Sequence, residues 1–481
     1  MPTKICKAGL LATIKDYPGS IFNFLGEHCV FYSKKYDVFK SEVNVERVVL
    51  YHVLEDGTLC VPHGFLDDLL NYLKDLNISY SFNPGSFKVL VPDWDLVKSV
   101  YDFRANQENV LKLIDERVAS NSGGVIVAPP AFGKSYIISM LASLYKDAKI
   151  DIVTKRRDVV MNIYETLLKF HPDAGIITGG KHIPGRVTVY TAASLKHSNF
   201  DADILLIDEI HELVTESYYK VFFDYKTSRV FGFTATPDTR FDGLHTRIKG
   251  LCGPQLFSVN YSNIVTSGNV VPIVVYWFKP KCPIINLPKP IHLRKRLGIW
   301  TNTYRNACIA EVAKEFYNGG LQVLVLVDVI EHALNLKKLL PEFELCYAGS
   351  RKEGAGYEKI TSRKREELRK KFLNRELMGV IATGVWSTGV SFDGLEVLIR
   401  ADGLSSKTAS VQYPGRVSRI CPGTNKQVGI VIDFLDTFSP SLYASARNRM
   451  LMYKNNGWEQ YGPDGKQLTL LERGKYKKYL L

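Results

Sequence analysis

The chain has 481 residues, of which 46% are apolar and 23% charged, and its formal charge is +13. That length exceeds a single core and fits about three domains of ~150 residues, and the composition excludes a disordered or fibrous chain. No run reaches the ~18 apolar residues needed to span a bilayer, and the eight scattered cysteines lack any C-x-x-C pair, which argues against a zinc ribbon or a dense disulfide framework.

Neutralising phosphates releases condensed counterions, so the basic balance favours a polyanionic partner. Basic runs stand at His292–Arg296, at Arg363–Arg365 with Arg369–Lys371, and at Lys475–Lys478. Each is more often a solvated face than a contact, although Tyr476 and Tyr479 in the last offer rings for base stacking. The first residues hold one short apolar patch, broken by Lys15 and Asp16. No signal-peptide pattern is present, and a cytoplasmic chain with no membrane partner is expected.

In chain order, residues 1–98 read as a small α+β domain. VERVVLYHVL (45–54) and LCVP (59–62) have strand character, and FLDDLLNYLKDL (65–76) is an amphipathic helix. Residues 99–270 alternate helical patterns with buried β-branched runs: IDIVT (150–154), VTVYT (187–191), ILLID (204–208) and VFGFT (230–234). A second alternating series in residues 271–440 contains LQVLVLVDV (321–329), MGVIAT (378–383), EVLIRAD (396–402) and VGIVIDF (428–434). The Pro- and Lys-rich stretch 278–290 precedes it as a linker, and 441–481 reads as a short helical and basic tail. The expected architecture is α/β, with two tandem parallel-sheet domains following the small N-terminal one.

The most specific stretch is GGVIVAPPAFGKS (123–135). A buried strand delivers the chain to a small-residue loop, and a helix follows, which is the order a phosphate-binding loop requires. The cradle comprises Ala128, Pro129, Pro130, Ala131, Phe132, Gly133, Lys134 and Ser135. Two prolines remove two N–H donors, so the remaining donors lie around Ala131 to Ser135. Lys134 is placed for the β- and γ-phosphates of ATP, and Ser135 for Mg²⁺. At the end of ILLID, Asp208 is suited to hold the metal and Glu209 to polarise an attacking water, with His211 closing the group. Near the other end of the chain stands Gln412-x-x-Gly415-Arg416-x-x-Arg419. Phosphoryl transfer spreads charge onto the γ-oxygens, and an arginine from a second lobe stabilises that charge when lobes close. Arg419 is the expected finger, Arg416 contacts phosphate or Glu209, and Gln412 orders the water.

With these stretches in order, the chain resembles the superfamily 2 helicases over roughly residues 100–440. DFRANQENVL (102–111) is similar to the R-x-x-Q element, which implies adenine contact by Arg104 and Gln107. APPAFGKS (128–135) resembles motif I, VTKRRDVV (153–160) Ia, VTVYTAASL (187–195) Ib, DEIH (208–211) II and FTATP (233–237) III. LVLVDVIEHA (324–333) is a looser motif IV, IATGVWSTGVSFDG (381–394) resembles motif V, and the Gln412–Arg419 stretch is motif VI. The resemblance implies two RecA-like lobes. It also implies nucleotide contacts at Gly389 and Asp393, and strand contacts at Thr154, Lys155, Arg156, Thr191, Ser194, Thr383 and Trp386. Motif III is the element this superfamily uses to couple nucleotide state to the strand.

Within the superfamily the chain looks most like phage recombination and branch-migration helicases of the UvsW kind, and more distantly like XPB-type and type I restriction motors. The DEIH form of motif II and Thr301-x-x-x-Arg305-Asn306 carry that likeness. It implies an ATP- and Mg²⁺-dependent DNA helicase acting on single-stranded, forked or branched DNA, with 3′→5′ movement. An RNA helicase, or one acting on RNA–DNA hybrids and R-loops, is the alternative. A non-catalytic clamp conflicts with the intact Lys134, Asp208, Glu209 and Arg419, and a restriction motor lacks a nuclease cluster outside the lobes.

Overall fold

The computed structural model describes residues 2–481 apart from 38–41, 105, 130, 236–242, 244, 260, 267, 269, 349–359, 387–391, 393, 404, 421–425 and 469–481. The chain divides into two compact units: residues 1–128 with 133–259, and residues 260–481 with the short segment 129–132.

Among the described residues, the main sheet of the first unit has eight strands. Their order is Lys181–Ile183, Gly175–Thr178, Val187–Thr191, Ile150–Thr154, Ile204–Asp208, Val230–Thr234, Gly124–Val127 and Gln255–Ser258. Every neighbouring pair is parallel except the first, an antiparallel hairpin at the edge. Each residue of the four strands from 150 to 234 anticipated above is buried. Such continuous apolar runs belong to parallel sheets covered on both faces. The strand Val230–Thr234 lies between the strand leading to Ala128 and the strand ending at Asp208. Those two C-terminal ends are therefore two strand spacings, or ~10 Å, apart on one rim. Gly123 begins this arrangement because a Cβ there would sit 2.1 Å from the Val230 carbonyl oxygen.

A five-stranded sheet, ordered His52–Val53, Leu59–Pro62, Leu11–Lys15, Thr3–Ala8 and Tyr80–Asn83, occupies the N-terminal region. The strand Thr3–Ala8 alternates buried and exposed residues, and the helices Ile21–His28 and Leu66–Asp75 contribute Phe24, Leu25 and Leu69 to the same core. The stretch 45–54, expected as one strand, is divided. Its first half, 45–49, pairs with Val30–Asp37 in a separate two-stranded ribbon, and only His52–Val53 joins the sheet.

The expected boundary near residue 98 does not separate compact units. Leu10 and Phe31 belong to the core beneath the eight-stranded sheet. His63 Nε2 lies 2.7 Å from the Leu251 carbonyl oxygen. A Cβ at Gly64 would come within 1.8 Å of the Lys249 carbonyl oxygen. Ion pairs Arg117–Asp67 (2.9 Å) and Lys249–Asp68 (2.6 Å) flank this joint.

The second unit has seven strands among the described residues, all parallel. Their order is Glu344–Cys346, Gly379–Ala382, Val323–Leu326, Val397–Arg400, Gly429–Phe434, Ile273–Phe278 and Glu459–Tyr461. Both large sheets are RecA-like. The region expected as a tail is largely built into this unit. The helix Pro440–Asn455 buries Arg449, Met450 and Tyr453, and Glu459–Tyr461 extends the sheet edge. The basic run Lys475–Lys478 lies outside the described residues. The spacing Thr301-x-x-x-Arg305-Asn306 also has a packing reason: fully buried Arg305 donates to Asp436 (2.8 Å) and to the Ala401 carbonyl (2.8 Å), while Asn306 bridges the Trp300 carbonyl and His332.

Candidate functional site

The loop after Val127 starts pinned, since the Ala128 N–H donates to the Thr234 carbonyl at 3.0 Å. Ala131 (φ +68°) and Gly133 (φ +91°) turn the backbone left-handed, a conformation costing an alanine roughly 1 kcal/mol more than a glycine. The helix Lys134–Leu144 follows directly, so its N-terminal partial positive charge lies at the end of the loop. Lys134 Nζ donates to the Ala128 carbonyl at 3.3 Å and lies 3.7 Å from Glu209 Oε1. Ser135 is half-buried in the first helical turn. Of the expected cradle, Pro130 lies outside the described residues.

Asp208 ends its strand with a side chain buried to 6% exposure, and its Oδ1 has no hydrogen-bond partner among the described residues. Burial, reinforced by the neighbouring Glu209 charge and opposed by Lys134, pushes its carboxyl up to about 7. Glu209 takes φ +48°, an uncommon conformation for a non-glycine residue, and its Oε2 also lacks a hydrogen-bond partner among the described residues. Two carboxylates crowded at a buried rim, with orphaned oxygens and a lysine beside them, fit a hard divalent cation that prefers oxygen ligands. His211 Nδ1 lies 3.0 Å from Thr234 Oγ1 and 3.5 Å from Glu209 Oε2.

The R-x-x-Q pair reaches the same loop. Gln107 is 1% exposed, and its Oε1 accepts the Arg104 N–H at 3.0 Å. Its Nε2 lies 2.6 Å from where a Cβ on Gly133 would stand, so the loop's last glycine leaves room for the carboxamide. The Arg104 guanidinium sits 5.9 Å from the centroid of the half-exposed Tyr136 ring.

In the second unit, Gln412 ends the helix Lys407–Gln412, which is capped where Ser406 Oγ accepts the Ala409 N–H. Arg416 sits in the 3-10 turn Pro414–Ser418 at 7% exposure, and Arg419 follows it, partly exposed. The segment is fastened from behind: the Ser418 carbonyl accepts the Val271 N–H at 2.8 Å, and Gly429 leaves space for the Val417 carbonyl, 2.3 Å from where a Cβ would be. Gly389 and Asp393, expected to contact nucleotide, lie outside the described residues, as do Thr236 and Pro237 of the motif III stretch.

The residues expected to touch a nucleic-acid strand are treated unequally by the fold. Lys155 and Arg156 are exposed just past the strand ending at Thr154, with Arg156 paired to Glu212 at 3.0 Å. Thr154 is 1% exposed, Thr191 and Ser194 are buried, and the latter two bond each other at 2.8 Å. Trp386 is a correction. Expected to contact the strand, it is 2% exposed, and its ring packs 5.4 Å from Phe372 and 4.8 Å from Phe392 as a core aromatic. Thr383 lines a cleft of about 540 Å³ with Asp328, Ile330, Glu331 and Gly384. Two cations of the 292–296 run are engaged nearby, Lys295 with Asp328 at 3.0 Å and Arg296 with Glu331 at 2.9 Å. The run 363–371 forms a helix, Ser362–Leu373, with ion pairs Lys364–Glu367 and Arg369–Glu366 along it.

One cluster was not anticipated. Lys181 and His182 sit on the exposed edge strand after Thr178-Gly-Gly, and Lys196 and His197 end the turn after Thr191. The His182 and His197 rings meet edge-on at 5.8 Å. Both elements begin at the same rim of the sheet as Lys155. The buried run Gly175–Thr178 followed by Gly-Gly-Lys-His was the available signal.

The family described as type III restriction enzyme, res subunit, matches residues 100–239. A protein of Escherichia phage T5 described as a probable helicase is 25% identical over 368 residues, covering 74% of this chain and 76% of that protein. The chain resembles the superfamily 2 helicases. The DNA 3′-5′ translocase XPB2 of Sulfurisphaera tokodaii is 25% identical over 365 residues, 67% of this chain and 80% of that protein. The fold is similar to that of the solved structure of S. cerevisiae Dbp5 bound to RNA and ADP BeF3, at 15% identity and a TM-score of 0.53, over 76% of this chain and 92% of that one. T4 UvsW aligns over 96% of this chain and 99% of its own, at 17% identity and a looser TM-score of 0.42. No helix among the described residues is long and apolar enough to cross a membrane.

Proposed function

We propose that this chain is an ATP-driven DNA helicase or translocase that remodels forked and branched DNA, moving 3′→5′. The observation that carries the nucleotide chemistry is the placement of Lys134 and Glu209, 3.7 Å apart, beside the buried, under-bonded Asp208. Lys134 and the amides at the start of its helix bind the β- and γ-phosphates of ATP. Ser135 and Asp208 would hold Mg²⁺, which when bound would supply positive charge beside the phosphates. Glu209 orients the attacking water and takes its proton. Gln107 and Arg104 grip the adenine. Arg419 and Arg416 are the residues proposed to stabilise charge on the transferring group, and Gln412 to order the water.

Lys155 and Arg156 are proposed to grip the strand backbone with the Lys181 and Lys196 rim, a mode that reads charge and not sequence. The N-terminal region rides with the nucleotide-binding unit and supplies a second DNA contact. Support for DNA over RNA comes from the similarity to the DNA 3′-5′ translocase XPB2.

The test compares ATP hydrolysis stimulated by forked DNA, Holliday junctions and RNA duplexes, alongside strand displacement on partial duplexes of both polarities. Stimulation by forks and displacement from 3′ overhangs are expected. Stimulation by RNA alone assigns the RNA reading instead, and absence of nucleic-acid-stimulated hydrolysis on every substrate overturns the proposal.

A further inference from the structure

Beneath the Gln412–Arg419 segment lies a fully buried group of opposite charges that the nucleotide chemistry does not itself require. Arg400 ends the strand Val397–Arg400 at 0% exposure and places Nε and Nη2 on Asp402, at 3.1 and 2.7 Å. Its Nη1 donates to the Tyr453 hydroxyl at 3.0 Å and approaches Ser410 Oγ at 3.5 Å. The Tyr453 hydroxyl in turn donates to Asp433 Oδ2 at 2.7 Å. Arg449, one helical turn before Tyr453, clamps the same carboxylate with Nε at 2.9 Å and Nη2 at 2.8 Å. Its Nη1 also reaches the Gly403 carbonyl at 3.2 Å.

These contacts join the strand ending at Arg400 to three other pieces of chain. Asp433 lies in the strand Gly429–Phe434, and Arg449 and Tyr453 lie on the helix Pro440–Asn455. Ser410 is fully buried on the helix that ends at Gln412, and that helix packs against Pro440–Asn455. The Arg400 guanidinium also lies 5.4 Å from the centroid of the Tyr413 ring, one residue past Gln412 and three before Arg416.

Two arginines and two aspartates taken wholly out of water cost several kcal/mol per ion before pairing, and a well-packed apolar cluster of equal volume often does as well for stability. What the charged group supplies that an apolar one does not is direction, since each guanidinium and carboxylate accepts only narrow geometries. The Tyr453 hydroxyl is its hinge point, accepting from Arg400 and donating to Asp433.

We propose that Tyr453 and Arg449, on the C-terminal helix, are positioning residues for the Gln412–Arg419 segment. They fix Asp433, and through Arg400 they fix the helix carrying Gln412 and the turn carrying Arg416. This rests on the proposed role of that segment in ATP hydrolysis. A misplaced arginine costs turnover without costing nucleotide affinity, because its contact is made in the transition state.

The test uses the full chain. Tyr453→Phe keeps the ring that packs against Trp458 (5.4 Å) and Trp277 (5.8 Å) and removes only the hydroxyl. Arg449→Lys keeps the charge and removes the two-pronged grip. Trp458→Phe perturbs packing on Tyr453 without touching the charged group, and serves as the stability control. All are assayed well below their melting temperatures. Expected is a fall in kcat of about tenfold or more for Tyr453→Phe and Arg449→Lys, with KM for ATP and affinity for a non-hydrolysable analogue unchanged within about twofold. Trp458→Phe is expected to keep the parental kcat even where its melting temperature falls equally. If Tyr453→Phe does not fold, Arg449→Lys carries the same comparison. Parental kcat in the variants that fold, or an equal loss in Trp458→Phe, overturns the positioning role while leaving the function standing. A parent chain that hydrolyses no ATP overturns both.

Discussion

His211 Nδ1 lies 3.0 Å from Thr234 Oγ1, tying the turn after the acidic strand to the end of its neighbour. Glu209 and the motif III stretch therefore share one hydrogen-bonded element. If Glu209 engages nucleotide as proposed, a change in that engagement is expected to reach Thr234 through His211. Thr234→Val keeps the shape of the side chain and removes the bond. The expected outcome is basal ATP hydrolysis within about threefold of the parent, with strand displacement reduced about tenfold or more. Parallel ATPase and unwinding assays check it, and equal losses in both remove the coupling role.

Lys134→Ala is expected to abolish measurable hydrolysis, because it removes the charge nearest the proposed phosphates. Glu209→Gln is expected to lower kcat by about two orders of magnitude or more while retaining ATP binding, since the amide no longer takes the water's proton. Single-turnover hydrolysis and equilibrium binding with a fluorescent nucleotide separate the two. Normal turnover by Lys134→Ala contradicts the phosphate assignment.

Asp208 supplies a pH dependence of stability. Its folded pKa is raised to about 7 by burial and then by the charge of Glu209. Below the ordinary carboxyl range both folded and unfolded chains hold the proton, and above about 7 neither does. Between those limits the unfolded chain releases its proton first, so stability falls as pH rises. Asp208→Asn, neutral throughout, is expected to melt higher than the parent at pH 8 in chelator, with the gap closing toward pH 4. Added Mg²⁺ is expected to raise the parent's melting temperature at pH 8 and not that of the variant. Thermal melts across pH, with and without metal, provide the check.

His63 acts with the opposite sign at the joint between the five-stranded and eight-stranded sheets of the first unit. Burial, then the Lys7 charge, lowers its folded pKa to about 3. The folded chain keeps it neutral while the unfolded chain is protonated below about 6.5. Its contribution is complete above that value and declines as pH falls toward 3. His63→Gln is expected to flatten the acid side of the stability profile between pH 6.5 and 5, at some cost in stability at neutral pH. Urea titrations at several pH values measure both effects, and an unchanged acid limb excludes His63 as the source.

The strands carrying the candidate site were legible because parallel strands buried on both faces leave uninterrupted β-branched runs, as in Ile204–Asp208 and Val230–Thr234. The approach of Lys134 to the acidic end of Ile204–Asp208 was legible for a related reason: the chemistry proposed for these residues fixes their types and chain order. Side-chain orientation was not legible. Trp386 sits in a stretch whose motif implies strand contact, yet a turn of 3-10 helix points its ring between Phe372 and Phe392. Nothing local distinguishes those two outcomes. The C-terminal region misled for a different reason. Arg449 and Tyr453 read as surface residues on a polar helix, and only pairing with Asp433 and Arg400, remote in sequence, allows them to be buried. The fate of the Lys295 and Arg296 charges likewise depends on Asp328 and Glu331, which a linear reading does not bring beside them.

The absence of a side chain at Gly64, against the Lys249 carbonyl, means that the N-terminal sheet cannot be lifted away without exposing backbone and the sockets of Leu10 and Phe31. Pieces that share a floor in this way melt together. Calorimetry of residues 1–259 should show one endotherm where two independent modules would give two, and a chain trimmed to begin near residue 99 should aggregate through the apolar scar left behind.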